Sequence, residues 1–155
     1  MSIGICSISQ KNPAWVDQAF QDYMQRCVHP WNIEHHHIPL VKRVSGREQK
    51  AIDKEATQVL KVFKPNDYVI GLDPQGKTLD SYEFADKIQQ CINQSQRPVF
   101  VIGAPEGLAP DIRQSCREFW SLGRLTMPHT LAKVVLAEQI FRAWSITHQH
   151  PYHRQ

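Results

Sequence analysis

The sequence predicts an α/β protein with a parallel or mostly parallel sheet and helices on both faces. Short apolar runs rich in β-branched residues alternate about five times with longer segments of helical periodicity, which is the pattern of βα units. The composition is 41% hydrophobic and 21% charged, as expected of an ordinary globular protein. No repeat, linker or low-complexity segment interrupts the chain, so we interpret residues 1–155 as a single domain.

The first half of the chain is predicted to alternate three strands with two helices. Pro13 suits the first turn of a helix, where its missing N–H costs no hydrogen bond. Further along, apolar residues recur at helical spacing opposite a charged face, which indicates an amphipathic helix. These apolar residues are Ile52, Ala56, Val59, Leu60 and Phe63. The predicted strands cover 2–9, 31–40 and 67–73, and the predicted helices cover 13–27 and 47–63.

The second half continues the same alternation and ends in a long helix. Its predicted elements are a helix at 81–93, a buried strand at 97–103, a helical segment at 111–119, a strand and loop at 120–129, and a last helix at 130–146. The apolar strands without strict alternation are those expected in a sheet that is covered on both faces.

The last helix carries two apolar stripes on roughly opposite sides. One consists of Leu131, Val134, Val135 and Phe141, and the other of Leu136, Ile140, Ala143 and Trp144. Because a surface helix needs only one such stripe, this helix is predicted to be buried on two sides. A central position in the protein's own core and a position at a subunit interface both explain the pattern. We predict a homodimer.

Charge, cysteines and hydropathy restrict the class of protein. The net charge of +3 permits a polyanionic partner without requiring one. The cysteines are scattered and form no CxxC pair, which indicates reduced thiols instead of a disulfide framework or a zinc knuckle. The N-terminus lacks a signal-peptide pattern, and no apolar run is long enough to span a membrane. A cytoplasmic protein without a membrane partner is therefore predicted.

Three loops that contain glycine and proline, 72–77, 102–110 and 121–130, follow predicted strands. Open α/β sheets bind ligands outside the carboxyl ends of their strands. Glycine lets the backbone approach a ligand, and proline stiffens the turn. None of the loops is a GxGxxG or Walker motif, which disfavours dinucleotide and P-loop chemistry. The loops are either ordinary turns or, taken together, a site for a small organic ligand held mainly by backbone groups.

Histidines cluster at two places, and neither cluster predicts a metal site. Residues 35–37 are consecutive histidines in a predicted strand, where successive side chains point to opposite faces and cannot easily share one ion. His148, His150 and His153 lie near the C-terminus with no carboxylate or cysteine nearby, so they make a poor preformed site. We expect no metal.

The C-terminal segment is better interpreted as a nucleic-acid contact. Tyr152 offers an aromatic face on which an unpaired base can stack. Arg154 offers a planar set of donors for a phosphate or a base edge. The basic segment 41–50 is predicted either to contact phosphates or to form a solvated face. A solvated chain end is the alternative for the tail itself.

Three stretches of the sequence resemble the RlmH family, whose members are small SPOUT-class methyltransferases that act on N3 of a pseudouridine in 23S ribosomal RNA. The stretches are IGAPEGLAP, SLGRLTMPHTLAKVVLAEQIFRAWSI and the terminal HPYHRQ. The likeness begins at KNPAW near the N-terminus and continues to the last residue. One departure is Ala104, where the family pattern has a second glycine. Alanine is small, so we expect this departure to matter only if the position needs a positive φ.

The resemblance implies S-adenosylmethionine as the cofactor and the SPOUT fold, in which the C-terminal segment threads through a loop as a trefoil knot. It also implies a homodimer with the site near the interface, and 23S rRNA in the assembled ribosome as the substrate. By position in the family pattern, the cofactor-binding residues are Leu72, Gly103, Leu122, Gly123, Arg124, Leu125, Thr126 and Met127.

The catalytic roles that the resemblance implies fall on the tail. The pseudouridine N3 must lose its proton at or before methyl transfer, so a general base is expected. His153 is the candidate base or proton relay, with Tyr152 and solvent as alternatives. Arg154 would stabilise the imide anion or a flanking phosphate, and Tyr152 would stack on a base. His129, at the start of the last helix, is consistent with a structural and with a catalytic role.

Three other functions remain compatible with the residues. A non-enzymatic RNA-binding module would use the basic segment and the tail, but it leaves the three loops without a role. A metal-dependent hydrolase built on the tail histidines would be inactivated by chelators. A SPOUT methyltransferase of another specificity, for example for a tRNA ribose, is disfavoured only by the resemblance of HPYHR.

Overall fold

The computed structural model describes residues 1–154 and contains a five-stranded parallel sheet. The strands are β1 Ser2–Ser9, β2 Asn32–Pro39, β3 Asp67–Thr78, β4 Arg97–Ile102 and β5 Glu118–Ser121. The helices are α1 Ala14–Arg26, α2 Glu48–Leu60, α3 Ser81–Asn93, α4 Pro110–Ser115 and α5 His129–Thr147, followed by a 3-10 helix at Pro151–Arg154. The strand order is β2-β1-β4-β3-β5. The predicted α/β sheet with flanking helices is confirmed.

The helices form two layers on opposite faces of the sheet. α1, α3 and α5 cover one face, with α5 between the other two, and α2 and α4 cover the other face. Successive side chains of a strand point to opposite faces of the sheet, so each strand packs against both helix layers. In β1, Ile3 and Ile5 pack on the α5 side, whereas Cys6 and Ile8 pack on the α2 side. Within residues 1–154, no helix combines the length and apolarity of a membrane-spanning segment.

Two predicted boundaries differ from the structure by more than three residues, and the helix predicted over 47–63 also ends earlier, at Leu60. The helix predicted over 111–119 is wrong at its C-terminal end, because α4 ends at Ser115 and Glu118 pairs with Ile70 in the sheet. β3 also continues to Thr78, through residues predicted as a turn, with an irregular register against β5. In both places, pairing between distant segments of the chain outweighs the local preference.

Within the single chain, only one of the two apolar stripes of α5 is fully buried. Leu136, Ile140, Ala143 and Trp144 are buried in the core. Of the other stripe, Phe141 is buried, whereas Leu131 is 37% exposed and Val134 and Val135 are partly exposed. The outer side of the first half of α5 is therefore an apolar strip that the chain itself leaves partly uncovered.

Arg97 ties together the amino ends of three strands. Its side chain is 9% exposed, donates to Asp67 Oδ1 and Oδ2 at 2.8 Å each, and donates to Glu34 Oε2 at 2.7 Å. Removing one partner of a buried ion pair typically costs about 3–5 kcal/mol, because the remaining charge is uncompensated. We expect Arg97→Leu to lower the free energy of unfolding by about 3 kcal/mol in urea titrations.

The control for this prediction is Arg26→Ala, which removes an exposed pair with Asp22 one helical turn away. It should cost less than about 0.5 kcal/mol, since water already screens exposed pairs. Equal stability of the Arg97→Leu and Arg26→Ala proteins would contradict the assigned role of Arg97.

Candidate functional site

A cleft lies at the carboxyl edge of the sheet, between the ends of β3, β4 and β5 and the start of α5. Its volume is about 530 Å³, part of it open to solvent, which suits a small organic ligand. The topology explains the position. The chain leaves β3 for α3 on one face and leaves β4 for α4 on the other, and open α/β sheets bind ligands in the crevice between two such strands.

Most residues predicted to bind the cofactor line this cleft, namely Leu72, Gly103, Leu122, Gly123, Leu125 and Met127. Arg124 and Thr126 belong to the same loop, but both are exposed and neither lines the cleft. Contact of these two with the cofactor stays a prediction. The lining also includes residues that were not predicted individually to bind the cofactor, although all but Ala132 lie in the three predicted loops: Asp73, Pro74, Ile102, Ser121, His129 and Ala132. These residues lie next to the predicted ones at the strand ends, and this adjacency would have been enough to predict them.

Gly103 allows the loop after β4 to close tightly. A Cβ atom built on Gly103 would lie 2.7 Å from the carbonyl carbon and oxygen of Gly107 and 3.0 Å from the amide nitrogen of Leu108. A bridge between Ala104 and Gly107 closes the same loop. Since backbone atoms fill the space a side chain would need, only glycine fits at position 103.

The loop after β5 is held by the side chain of Ser121. Ser121 Oγ donates to the carbonyl oxygen of Gly123 at 2.7 Å and accepts from the amide of Gly123 at 3.2 Å. Ser121 is buried, and Gly123 has a φ of +142°, which residues with a side chain rarely adopt. These contacts set the direction of the backbone from Leu122 to Leu125, which forms one wall of the cleft.

The polar groups of the cleft include a carboxylate and the start of a helix. Asp73 accepts hydrogen bonds from Arg113 and from the amide of Gln75, both at 2.8 Å. These bonds, chiefly the one from Arg113, hold the pKa of Asp73 below its usual value, so the group is ionised at neutral pH. α5 begins at His129, and no side chain within residues 1–154 caps it. Its first N–H groups are therefore available to an anionic part of a ligand.

The C-terminal segment folds back onto α5. Gln149, with a φ of +57°, reverses the chain after the helix. The buried hydroxyl of Ser145 anchors the returning segment: it donates to the carbonyl of His150 at 2.8 Å and accepts from the amide of His153 at 3.1 Å. Tyr152 and His153 are therefore packed on α5 and not solvated, whereas His150, Pro151 and Arg154 are exposed.

Ser145 also decides which nitrogen of His153 carries the proton. Ser145 Oγ lies 2.8 Å from His153 Nδ1. A hydroxyl has one hydrogen, and Ser145 uses it for the carbonyl of His150. The hydrogen of the second contact must then come from His153 Nδ1, so Nε2 of the neutral ring keeps its lone pair. This arrangement presents Nε2 of His153 as a proton acceptor.

Tyr152 packs against the side of α5. Its hydroxyl donates to Glu138 Oε1 at 2.9 Å, and its ring centroid is 4.5 Å from that of Phe141 and 5.1 Å from the guanidinium carbon of Arg142. Burial and the bond to Glu138 raise the pKa of Tyr152, which disfavours it as a general base at neutral pH. Stacking of a base on this ring stays a prediction and requires displacement of a neighbour. Arg154 is exposed.

His153 and the cleft are far apart within one chain. Ala132 lines the cleft, whereas Ser145, further along α5, holds His153. At about 1.5 Å per residue, these two positions are about 20 Å apart along the helix axis. In this conformation His153 does not reach the cleft of its own chain.

Comparison with known proteins identifies the family. Residues 1–153 match the family described as predicted SPOUT methyltransferase. A ribosomal RNA large subunit methyltransferase H from Dichelobacter nodosus is 39% identical over 155 residues, with 99% of each chain covered. Proteins of the same name from Xanthomonas campestris pv. campestris and Acinetobacter baumannii are 38% and 37% identical, again over 99% of each chain. This chain belongs to the RlmH family of SPOUT methyltransferases.

Membership of the RlmH family confirms the resemblance and the methyltransferase prediction. It replaces the non-enzymatic RNA-binding module and the metal-dependent hydrolase as interpretations. A solved structure, a methylase family protein from Neisseria gonorrhoeae, has a TM-score of 0.55 with 90% of this chain and 81% of that chain covered. The two are 14% identical, so this likeness concerns the fold alone. The trefoil knot stays a prediction.

Ala104 replaces the glycine of the RlmH pattern without strain. Within residues 1–154, the residues other than glycine that have a positive φ are Ser95 and Gln149. Ala104 therefore has a conformation open to any residue, and its small side chain is buried. The departure does not disturb the loop.

The histidines of β2 have the alternating directions that were predicted. The rings of His35 and His37 are 6.4 Å apart, whereas His36 lies beside Glu34, at 3.7 Å between Nε2 and Oε2. His35 is within 3.0 Å of Ser7 Oγ, and burial lowers its pKa to about 4, so its ring is neutral at physiological pH. Among residues 1–154, no group of three or more histidine, cysteine, aspartate or glutamate side chains is arranged to hold a metal ion.

Proposed function

We propose that this protein uses S-adenosylmethionine to methylate N3 of a pseudouridine in 23S rRNA within assembled ribosomes, acting as a homodimer in the cytoplasm. The observation that carries the proposal is the cleft. It is built from the loops that the RlmH resemblance assigns to the cofactor, in a chain that matches large-subunit rRNA methyltransferases over 99% of its length.

The residues of the cleft fit S-adenosylmethionine. Leu72, Leu122 and Met127 offer apolar walls for the adenosyl part, and the loop at Gly103 lets backbone groups approach it. The N-terminus of α5 suits the carboxylate of the methionyl part. The bound cofactor supplies a methyl group that is already activated. The task of the protein is then to position the acceptor nitrogen and to take up its proton.

His153 is the proposed proton acceptor. Its Nε2 lone pair, which the contact with Ser145 fixes, would take the proton from the N3 imide. General base catalysis of this kind contributes roughly 10²- to 10⁴-fold. The exposed Arg154, one residue further, would stabilise the imide anion or hold a flanking phosphate.

A homodimer would reconcile the position of the tail with that of the cleft. The partly uncovered apolar strip on α5 consists of Leu131, Val134 and Val135. It comes directly after the loop that lines the cleft, in which Leu125 is 83% exposed. A second copy that covers this apolar surface would remove it from water and place its own tail near the cleft. We therefore assign the tail of one subunit to the cleft of the other.

The proposed substrate is the assembled ribosome and not free RNA. A net charge of +3 is a weak electrostatic footprint for a protein that must hold naked RNA. Within the basic segment 41–50, Arg43 forms ion pairs with Glu55 and Glu106. The exposed Lys42 and Arg47 remain among the residues that would contact phosphates. Recognition would then rely on the shape that the ribosome presents.

Methyl transfer from labelled S-adenosylmethionine to ribosomes that lack this modification tests the proposal. We expect transfer to ribosomes but not to free 23S rRNA, with the product mapped to pseudouridine N3 by mass spectrometry. A Tyr152→Ala/Arg154→Ala protein should lose more than about 100-fold in rate while its cofactor affinity is unchanged. Bound cofactor without transfer to either RNA would contradict the substrate, and transfer to another position would assign a different SPOUT specificity.

Removing the hydroxyl of Ser145 should lower the rate through His153. In Ser145→Ala, nothing fixes the Nδ1 proton, so we expect kcat to fall roughly 10- to 100-fold with the KM for ribosomes changed less than about twofold. Ser115→Ala is the control, because that hydroxyl only contacts the carbonyl of Asp111 one turn back. Steady-state kinetics between about pH 6 and pH 9 would measure both. An unchanged kcat and pH profile in a folded Ser145→Ala protein would contradict the role of Ser145.

A further inference from the structure

A second crevice opens at the same edge of the sheet, between the ends of β1 and β4. The chain leaves β1 for α1 and leaves β4 for α4, and these helices lie on opposite faces. The two strands are neighbours, so their ends form a second topological switch point beside the one that holds the cofactor cleft. The crevice has a volume of about 750 Å³, much of it open to solvent.

We propose that this crevice, formed by residues 9–12 after β1 and residues 128–130 at the start of α5, binds the acceptor nucleotide as an unstacked pyrimidine nucleoside of the RNA. The inference rests on the proposed function and adds to it the place where the base is held.

The crevice lies directly beside the cofactor cleft. His129 lines both. The loop after β4 separates them, with Gly103 on the cofactor side and Pro105 on the side of the crevice. Methyl transfer needs the acceptor nitrogen in contact with the methyl group, so the acceptor must enter from a space that adjoins the cofactor. This crevice adjoins the cofactor cleft at His129.

The side chains that line the crevice suit a uracil-type nucleotide. A uracil-type base has two carbonyl acceptors on either side of an N–H, and its ribose carries a phosphate. Gln10 and Lys11, both exposed, and Thr130 supply amide, ammonium and hydroxyl groups. Within residues 1–154, these three side chains make no hydrogen bond or ion pair, so they are available to a ligand. Asn12 donates to Asp17 Oδ1 at 3.3 Å, which leaves its own carbonyl oxygen as an acceptor.

Another cavity at this edge is less suitable. It lies between α2 and the loop after β4, and its charged groups include Glu55 and Glu106. Arg43, which donates to both carboxylates, already neutralises them. That cavity therefore offers acidic groups that are already paired, whereas the crevice at β1 offers unpaired donors suited to carbonyl and phosphate oxygens.

Two variants test the inference. Thr130→Trp would fill the crevice from the start of α5, and Gln10→Ala/Lys11→Ala would remove its donors without adding bulk. The control Gln18→Ala/Lys54→Ala makes the same two changes at exposed positions on α1 and α2. Cofactor affinity is measured by calorimetry, and methyl transfer to unmodified ribosomes is measured with labelled S-adenosylmethionine.

We expect Gln10→Ala/Lys11→Ala and the control to bind the cofactor within about twofold of the unchanged protein. Thr130→Trp should lower kcat/KM for ribosomes more than about 100-fold, and Gln10→Ala/Lys11→Ala about 10-fold, mainly through KM. The control should stay within about twofold. Transfer by Gln10→Ala/Lys11→Ala at the rate of the control would overturn the inference, even if Thr130→Trp fails to fold. If the unchanged protein transfers no methyl group, the proposed function fails instead, so the two failures are distinguishable.

Discussion

Replacing Gly103 with valine is expected to abolish measurable cofactor binding. A Cβ atom at this position would lie 2.7 Å from the carbonyl carbon and oxygen of Gly107. The obstructing atoms are backbone, and the bridge between Ala104 and Gly107 holds them in place, so a side chain can only enter if the whole loop moves. Gly103 lines the cleft, and a moved loop would destroy the cleft wall.

Calorimetric titration with S-adenosylmethionine would measure this effect. We expect the Kd of Gly103→Val to rise more than about 100-fold, equivalent to a loss of about 2.7 kcal/mol or more. Ala104→Gly is the matched control in the same loop, and its Kd should stay within about threefold because Ala104 has no positive φ. A Gly103→Val protein that folds and binds the cofactor normally would show that the cofactor lies elsewhere.

Two inactive proteins are expected to regain activity when they form a mixed dimer. Gly103→Val lacks a working cleft but keeps its tail, and Tyr152→Ala/Arg154→Ala lacks the tail groups but keeps its cleft. His153 is held at Ser145, about 20 Å along α5 from Ala132 at the cleft of its own chain, so we assign the tail to the partner's cleft. In the mixed dimer, one of the two sites then has both an intact cleft and an intact tail.

Co-expression with two different affinity tags would isolate the mixed dimer. We expect about half of the rate of the unchanged dimer, whereas each variant alone should be inactive. The reciprocal control combines all three substitutions in one chain and pairs it with an unchanged chain. If the tail acts in the other subunit, that dimer has no complete site and is inactive. Activity in the reciprocal dimer, with none in the first, would place the tail and the cleft of one site in the same chain.

Local patterns predicted most of the fold. The alternation of apolar runs and helical periodicity depends on neighbouring residues, so the parallel sheet and nearly all elements were predictable. The exception at Glu118 has a physical reason: this residue joins β5 because it pairs with Ile70, and no local spacing records a partner so distant in the chain. The same applies to β3 beyond Asp73, where pairing with β5 extends the strand.

The cleft proposed for the cofactor was also largely predictable, because it is made of loops at strand ends. Leu72, Gly103 and the loop from Leu122 carry the family pattern as contiguous stretches, and the parallel topology brings their strand ends to one edge. His129 was named from the sequence without a definite role. Its place between the cleft and the crevice at β1 depends on how α5 packs on the sheet, which periodicity does not specify.

The fold class, the family and the residues of the tail were predictable from the sequence, because each is encoded in short contiguous patterns. What those tail residues can do depends on contacts between distant parts of the chain. Ser145 and His153 are brought together by the chain reversal at Gln149, and that contact assigns the proton to Nδ1. Ser145 holds His153 about 20 Å along α5 from Ala132, which lines the cleft of its own chain. Hydrogen-bond partners and distances of this kind arise from packing between elements, and no residue pattern in the tail contains them.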